Sequence, residues 1–251
     1  MINIYRKVRK ELAAENKPKK YLRYAIGEIL LVVIGILIAL QINNWNEENN
    51  RKRSAEQHLK SLQKNIKEDL VQLEQLKLIT DTTLVYSNSL TRQFKTLDPI
   101  DSNTSLYITS LVLERSLSPN KSSLESLNTS GQLAYLSEKI QSQIFNYYNL
   151  LEKIEKREEI SNTFIKIRYE PYFFDRYNFV FSKENNWDVL KQYYIDDPRN
   201  IPLFDKEKFL VDKKLEAMVF GRHFQMKQQN ELYKEAMQLA NILVSNIDNK
   251  Q

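Results

Sequence analysis

The chain has 251 residues, a formal net charge of +5, four glycines, two histidines and no cysteine. The absence of cysteine excludes disulfides and thiolate chemistry, and the scarcity of glycine disfavours a many-stranded sheet or a glycine-rich phosphate loop. His58 and His223 fit no zinc-binding or His-based catalytic spacing, so we expect surface or partly buried histidines.

Positive charge is concentrated at the start of the chain. Residues 1–24 hold eight Lys or Arg against two Glu, whereas residues 43–251 hold 29 Lys or Arg and 29 Asp or Glu. This larger, formally neutral part lacks the clustered positive charge that a nucleic-acid backbone requires, so no nucleic-acid partner is expected. Residues 1–24 are interpreted as a cytoplasmic basic tail, either a short amphipathic helix on an anionic leaflet or a disordered segment that only sets topology.

A long apolar run follows the tail. Between Ile29 and Leu40 no polar side chain occurs, and with its shoulders the run reaches roughly 20 residues, or about 30 Å of helix, the thickness of a hydrocarbon core. A buried core helix would carry a polar stripe, and a cleavable signal peptide would be shorter and end in small residues. Residues 25–44 are therefore predicted to form an uncleaved transmembrane helix, a signal anchor.

The flanking charges indicate an orientation for this helix. The excess of Lys and Arg precedes the apolar run, and the positive-inside rule keeps that side in the cytoplasm. Residues 45–251 are therefore predicted to be exported, and the lipid bilayer is the first predicted partner.

One face of the predicted span carries Glu28, Val32, Gly35 and Ala39 at helical spacing. Gly35 and Ala39 form a small-x-x-x-small pattern that lets two helices approach closely, which predicts a helix–helix contact in the membrane. The contact would be made with a second copy, giving a homo-oligomer, or with another membrane protein. In the alternative interpretation, Glu28 extends to the cytoplasmic interface and makes no such contact.

Two stretches resemble a known family. Residues 24–47, YAIGEILLVVIGILIALQINNWNE, closely resemble the N-terminal signature of an uncharacterised family of single-pass membrane proteins common in Bacteroidetes. Residues 123–133, SLESLNTSGQL, are similar to a second family pattern, a Leu-x-x-(Ser/Thr)-Gly-x-Leu block that opens a helix. The resemblance implies a bacterial inner-membrane location with a periplasmic domain, and no established activity, cofactor or site.

The exported part shows four helical pieces separated by proline-containing connections. The first, residues 45–97, has apolar residues every three or four positions, as in coiled coils, and is expected to continue the transmembrane helix. The others are predicted over 105–115, 131–169 and 206–247, the last with a break near Gly221. An all-α fold follows, in which an N-terminal transmembrane helix continues into a long helix and an antiparallel helical bundle comes after it.

Adjacent carboxylates occur at Glu68/Asp69 and Glu158/Glu159. Neighbouring positions on a helix point about 100° apart, so neither pair converges as an acid/base pair must, and both are interpreted as solvated. No catalytic residue, metal site or cofactor is predicted, and we expect the protein not to be an enzyme.

The aromatic-rich connection Arg168–Phe209 is the one candidate ligand or partner surface, and we expect it to include a short strand or lid. Tyrosine and tryptophan offer apolar faces with polar tips, and nearby arginines suit an anion. The candidate residues are Arg168, Tyr172, Arg176, Tyr177 and Trp187. In the alternative interpretation these rings only cover the end of the bundle.

The leading functional hypothesis is a membrane-anchored periplasmic helical module for interaction or scaffolding. The alternative is a periplasmic small-ligand-binding sensor domain that acts through a membrane partner.

Overall fold

The computed structural model describes residues 18–100, 102–177, 188–199 and 206–249. Every regular element in these ranges is helical and none is a strand, which confirms the all-α fold. The chain divides into two compact units, Met1–Glu56 and Gln57–Gln251. Residues 1–17, which hold most of the predicted basic tail, lie outside the described ranges.

Helix α1 runs from Pro18 to Thr96 without interruption. Proline is favoured at a helix start because it lacks an N–H that would be left unbonded there. The helix ends where Leu97 adopts a left-handed backbone angle (φ 57°) and its N–H donates to the Gln93 carbonyl at 2.8 Å. The prediction that the apolar helix continues into a long helix is confirmed.

Within the Met1–Glu56 unit, α1 carries one stretch long and apolar enough to cross a membrane. An 18-residue window there has a mean hydropathy of 2.6, and none of it is buried. Leu31 is 67% exposed and Leu37 is 59% exposed, a large apolar surface that is unfavourable in water. The ends of the transmembrane segment, residues 25 and 44, remain predictions because α1 continues through both positions without a break.

The Gln57–Gln251 unit contains the rest of α1 and a series of further helical elements. In chain order these are α2 (Ser102–Val112), α3 (Ser122–Thr129), a 3₁₀ turn (Gln132–Tyr135), α4 (Glu138–Phe164), a π-helical turn (Ile165–Tyr169), α5 (Glu170–Tyr177), α6 (Asp188–Tyr193), α7 (Lys206–Leu210) and α8 (Lys213–Asp248).

Hydrogen bonds between side chains and neighbouring helices give the helix directions. Between α4 and α8 the bonded pairs are Ser161–Arg222, Glu158–Tyr233 and Lys139–Asn246. Between α1 and α8 they are Ser87–His223, Asp81–Asn230 and Gln63–Val244. In both sets the numbers rise on one helix as they fall on the other, so α8 packs antiparallel to α1 and to α4.

The inner face of α1 changes character along its length. Leu62, Ile66 and Leu73 are fully buried, as their spacing predicts. Farther along, Thr80 and Thr83 occupy the inner positions, whereas the apolar side chain of Ile79 is 45% exposed. The core is therefore apolar at one level and polar at the next.

The second, third and last predicted pieces differ from the structure in their boundaries. The second, predicted over 105–115, is α2 at Ser102–Val112. The third helical piece begins at Glu138, because Gly131 takes a left-handed angle (φ 67°) and a separate 3₁₀ turn follows it. The last piece breaks at Val211 and Asp212, where the Asp212 carboxylate accepts the N–H groups of the new first turn, whereas Gly221 lies inside α8.

The predicted strand or lid falls partly on described residues. Within 168–177, 188–199 and 206–209 the chain is helical, in a turn or irregular, with no strand. The remaining positions of that connection lie outside the described residues. A turn follows α6, in which the Asp197 N–H donates to the Tyr194 carbonyl at 3.2 Å.

Candidate functional site

Asp212 gathers three of the predicted surface residues around one carboxylate. Its Oδ2 accepts the phenolic O–H of Tyr172 at 2.6 Å and that of Tyr177, and the Arg176 Nε lies 3.0 Å from the same oxygen. Its Oδ1 accepts the N–H of Leu215 at 3.1 Å at the start of α8. The end of α5 is thereby tied to the first turn of α8. Sequence reasoning named Tyr172, Arg176 and Tyr177 but missed Asp212.

The pKa values of Asp212 and Tyr172 lie well away from neutral pH. Burial opposes ionisation of Asp212, but the hydrogen bonds from Tyr172 and Tyr177, with the Arg176 charge, hold its pKa below the ordinary value of 3.8. Burial, and then the bond to Asp212, raises the pKa of Tyr172 to about 12. The carboxylate is thus ionised and the phenol neutral at neutral pH, which suits a structural clamp rather than acid/base catalysis.

Asp212, Tyr172, Arg176 and Tyr177 together are called the Asp212 clamp, and the aromatic rings beneath it belong to the core. Tyr177 stacks edge-on against Phe209 at a centroid separation of 5.5 Å, and Phe209 stacks on Phe94 at 5.4 Å. Tyr169 and Phe173 continue this contact at 4.7 Å. The packing favours the interpretation in which these rings cover the end of the bundle, because all five side chains are buried.

A groove of about 400 Å³ lies beside the clamp, open to solvent. Its walls come from the end of α4, the π-helical turn, α5 and the start of α8. The lining residues are Phe164, Ile167, Arg168, Pro171, Tyr172, Asp175, Lys214 and Met218. The groove thus includes Arg168 and Tyr172 from the predicted surface, whereas Arg176 and Tyr177 contribute to the clamp. Trp187 lies outside the described residues.

The π-helical turn decides which side chains reach the groove. Ile165 and Tyr169 are fully buried at its two ends, while Ile167 is 63% exposed and Arg168 is also exposed. A π turn inserts one extra residue into the helical ladder, and such turns often occur at functional positions. Here the extra residue keeps both ends of the turn in the core and places the middle at the groove.

On α1, the predicted helix–helix face is exposed. Val32 is 55% exposed, and Glu28, Gly35 and Ala39 are exposed as well. A Cβ added at Gly35 would meet no atom within 4 Å. Since the structure is that of a single chain, contact with a second helix at this face stays a prediction.

The interpretation of both carboxylate pairs as solvated was wrong for one member of each pair. Asp69 and Glu158 are buried, and only Glu68 and Glu159 face solvent. The 100° offset that argued against an acid/base pair also turns one carboxylate inward when its neighbour points out. The register gave the signal, because Asp69 lies three residues after Ile66 on the apolar face of α1.

Both buried carboxylates hold the backbone of the connection between α2 and α3, residues 113–121. Asp69 accepts the N–H of Asn120 at 3.1 Å, and Glu158 accepts the N–H of Leu117 at 2.8 Å. The second oxygens accept tyrosine hydroxyls, Tyr147 for Asp69 at 3.2 Å and Tyr233 for Glu158 at 2.6 Å. Burial raises the pKa of both carboxyl groups, although these bonds oppose the rise.

Neutral amide side chains also form hydrogen bonds with the backbone of the 113–121 connection. Asn162 on α4 accepts the N–H of Arg115 at 3.2 Å and donates to its carbonyl at 2.8 Å. Gln72 on α1 makes the same pair of bonds with Ser118, both at 3.2 Å. A non-helical segment packed against helices needs such partners, because its backbone groups have no helical ladder of their own.

Two buried arginines lie at the same level of the bundle. Arg222 donates to the Leu111 carbonyl at 3.0 Å and to the Ser161 hydroxyl, and Arg115 donates to the Thr83 hydroxyl at 2.6 Å. Burial, and then the Arg115 charge, lowers the pKa of Arg222 to about 10, so it remains protonated. The two buried guanidinium groups thus link neighbouring elements of the bundle through hydrogen bonds.

His58 and His223 are partly buried, as predicted. The Nδ1 of His223 lies 2.8 Å from the Ser87 hydroxyl, and burial lowers the pKa of the imidazole. Among the residues that the structure describes, no group of three or more His, Asp or Glu is placed to hold a metal ion.

A family model matches residues 28–169, more than half of the chain, and its description is a family of unknown function (DUF6090). The chain belongs to this family. The DUF6090 match begins at Glu28 and includes both buried carboxylates and the whole 113–121 connection; it ends at Tyr169, the last residue of the π-helical turn. No curated protein and no solved structure matches the chain. The expected membership in a family without a known activity is therefore confirmed.

Proposed function

We propose that this DUF6090 protein is a single-pass membrane protein whose helical domain is a non-enzymatic interaction or scaffolding module. The observation that carries the proposal is the apolar stretch of α1, none of which is buried in the fold. A bilayer supplies the apolar surroundings that these side chains lack in the structure. The α-helix is also the one form in which a single segment satisfies its own backbone in lipid.

The location proposed is the bacterial inner membrane, with the N-terminus in the cytoplasm and residues 45–251 in the periplasm. The basic composition of residues 1–24 supports this orientation, since positive residues are retained on the cytoplasmic side. The absence of cysteine is compatible with an oxidising compartment.

The proposed partner is a second copy of the chain or another membrane protein, bound through the face of Glu28, Val32, Gly35 and Ala39. Glycine inside a helix costs about 1 kcal/mol relative to alanine. The chain itself does not require it at position 35, because a Cβ there would meet nothing within 4 Å. The single chain gives no reason for glycine at position 35, whereas the close approach of a second helix would require a small residue there.

A non-enzymatic role is supported by the engagement of the buried acids. Asp69, Glu158 and Asp212 each accept a backbone N–H and at least one tyrosine hydroxyl. Carboxylates bound in this way on both oxygens position chain segments and are poorly placed to exchange protons with a substrate.

Cysteine crosslinking in native membranes tests the proposed contact, and the cysteine-free chain makes single-cysteine variants unambiguous. Ala39→Cys lies on the proposed face, and Leu37→Cys, about 180° away on the same helix, is the matched control. We expect oxidation to give a defined dimer, or one defined larger adduct, with A39C and not with L37C. Equal crosslinking at both positions, or none at A39C, would contradict the proposal.

The second candidate function is a small-ligand-binding sensor that acts through a membrane partner. The observation that favours it is the groove beside the Asp212 clamp, whose volume of about 400 Å³ lies in the range of small-molecule sites.

A further inference from the structure

We propose that the groove formed by the π-helical turn, α5 and the start of α8 binds a small amphipathic anion, that is, one anionic group carried on a compact apolar body. This inference concerns the Gln57–Gln251 unit alone and does not depend on whether the chain self-associates in the membrane.

The cations that line the groove differ from their neighbours in their ion pairing. Lys166 and Arg176, which do not line the groove, pair with Glu114 and Asp212 at 3.0 Å. Arg168 and Lys214 do line it, and within the described ranges neither has a carboxylate partner. Two cations that line one concave surface, without a carboxylate partner among the described residues, are suited to an anion.

The apolar part of the lining indicates what the anionic group is attached to. Phe164, Pro171 and Met218 contribute apolar surface, and Ile167 is held 63% exposed by the π-helical turn. The backbone of this exposed isoleucine is kept in place by buried neighbours. A ligand that covers the side chain removes apolar surface from water, which stabilises the complex.

Tyr172 provides a wall that is fixed before any ligand arrives. Its hydroxyl is bound to Asp212 at 2.6 Å, and the Lys214 ammonium lies 4.5 Å from its ring centroid. An aromatic face held in one orientation loses little conformational entropy on binding, which favours a flat, apolar body between the ring and Ile167.

The net charge and size of the groove restrict the ligand further. Among the described residues that line the groove, Asp175 is the one carboxylate, so two cations and one anion give these residues a net charge of +1. The volume of about 400 Å³ is near the lower end for small-molecule sites. A monoanion with a body of one or two rings, such as an aryl carboxylate or sulfonate, satisfies both restrictions.

The test uses the full chain in nanodiscs of zwitterionic lipid and isothermal titration calorimetry, with empty nanodiscs subtracted. The probe is naphthalene-2-sulfonate, compared with naphthalene-2-methanol, which has the same body without charge, and with sulfate, which has charge without the body. We expect one sulfonate per chain and at least tenfold weaker binding of the other two. Equal binding of the neutral compound, or no saturable sulfonate binding, would overturn the proposal.

Four variants with matched charge changes locate the site. Arg168→Gln and Lys214→Gln should each weaken sulfonate binding about tenfold, as expected for one charge-assisted contact. Asp175→Asn should strengthen it, because a like charge is removed. Lys166→Gln, which removes a cation from the same turn but outside the groove, should leave the affinity unchanged.

These variants change exposed side chains, so circular dichroism should show the helical fold retained in each. If R168Q and K214Q bind the sulfonate as tightly as K166Q does, or if D175N weakens binding, the groove is not the site and the inference is wrong. The crosslinking result at Ala39 is unaffected in either case, so the two proposals fail separately.

Discussion

Glu158 on α4 accepts the hydroxyl of Tyr233 on α8 at 2.6 Å, deep in the interface of these antiparallel helices. Its other oxygen accepts the N–H of Leu117 at 2.8 Å. One side chain therefore joins α4, α8 and the 113–121 connection. Because the carboxylate is 2% exposed, a change here leaves buried donors that water cannot satisfy.

Replacing Glu158 by alanine should destabilise the protein strongly. Two buried donors lose their acceptor, at about 1–3 kcal/mol each, and a cavity remains. We expect the free energy of unfolding of Glu158→Ala to fall by about 3 kcal/mol or more, measured by urea denaturation of the full chain in mild detergent. Glu159→Ala, at the exposed neighbouring position, should change it by less than about 0.5 kcal/mol. Equal effects of the two variants would contradict the burial of Glu158.

The stability contribution of Glu158 should depend on pH in a specific direction. Burial raises its pKa above the ordinary value of 4.5 in the folded state, against the opposing bonds from Tyr233 and Leu117. Between these two pKa values the folded state binds the proton more tightly than the unfolded state does, so folding is favoured as the pH falls through that window.

Glu158→Gln isolates this effect because it cannot titrate, while Asp69, Asp212 and His223 titrate in both proteins and cancel in the difference. We expect wild type to gain stability relative to E158Q as the pH is lowered from neutral towards 4.5, the ordinary pKa of a glutamate. Urea midpoints at several pH values measure this difference. A difference that is constant, or that moves in favour of the variant, would show that the carboxyl group is not destabilised by burial.

The helical framework was predictable because, where the core is apolar, the buried positions of a helix carry apolar residues at the helical spacing. Leu62, Ile66 and Leu73 follow the helical period, and all three are fully buried. The period fails between Leu76 and Leu90, since the inner face there meets polar groups instead, and it resumes at Leu90 and Phe94, which are buried. Thr83 accepts from Arg115 and Ser87 contacts His223, so small hydroxyl side chains replace leucine at inner positions.

The candidate site was predictable only in part, for a related reason. The aromatic connection drew attention to Tyr172, Arg176 and Tyr177. Their common partner Asp212 lies 35 residues after Tyr177, and its type signals a helix start but not a contact with these side chains. A single sequence shows which side chains share a helix face, whereas it does not show which distant carboxylate meets them. The π-helical turn was missed because one inserted residue changes the helical period by too little to be noticed.

The Asp212 clamp leads to a prediction with two graded variants. Asp212→Ala removes the cap of α8 and leaves the hydroxyls of Tyr172 and Tyr177 without their acceptor, so we expect a loss of about 2–3 kcal/mol. Asp212→Asn keeps a good capping side chain and loses only the charge, so the loss should be about 1 kcal/mol. Asp175→Ala, at an exposed position of α5, is the control.

Amide hydrogen exchange separates a local effect from a global one. In D212A the N–H groups of Lys214 and Leu215, which the carboxylate accepts at 3.0 and 3.1 Å, should exchange faster than those in the middle of α8. Because hydrogen bonds and the Arg176 charge lower the pKa of Asp212, its contribution is present above its unfolded pKa of 3.8 and is lost as the pH falls through the lower folded value. Unchanged protection in D212A would show that the clamp does not fix this end of α8.

The proposed orientation can be tested with two single-cysteine variants on α1 that remove the same charge. Lys19→Cys lies before the apolar stretch and Lys60→Cys lies after it, and both side chains are exposed. If positive residues are retained in the cytoplasm, a membrane-impermeant maleimide should label K60C in intact spheroplasts and K19C only after lysis. The reverse pattern would place the helical domain in the cytoplasm, and labelling of both before lysis would show that α1 does not cross the bilayer.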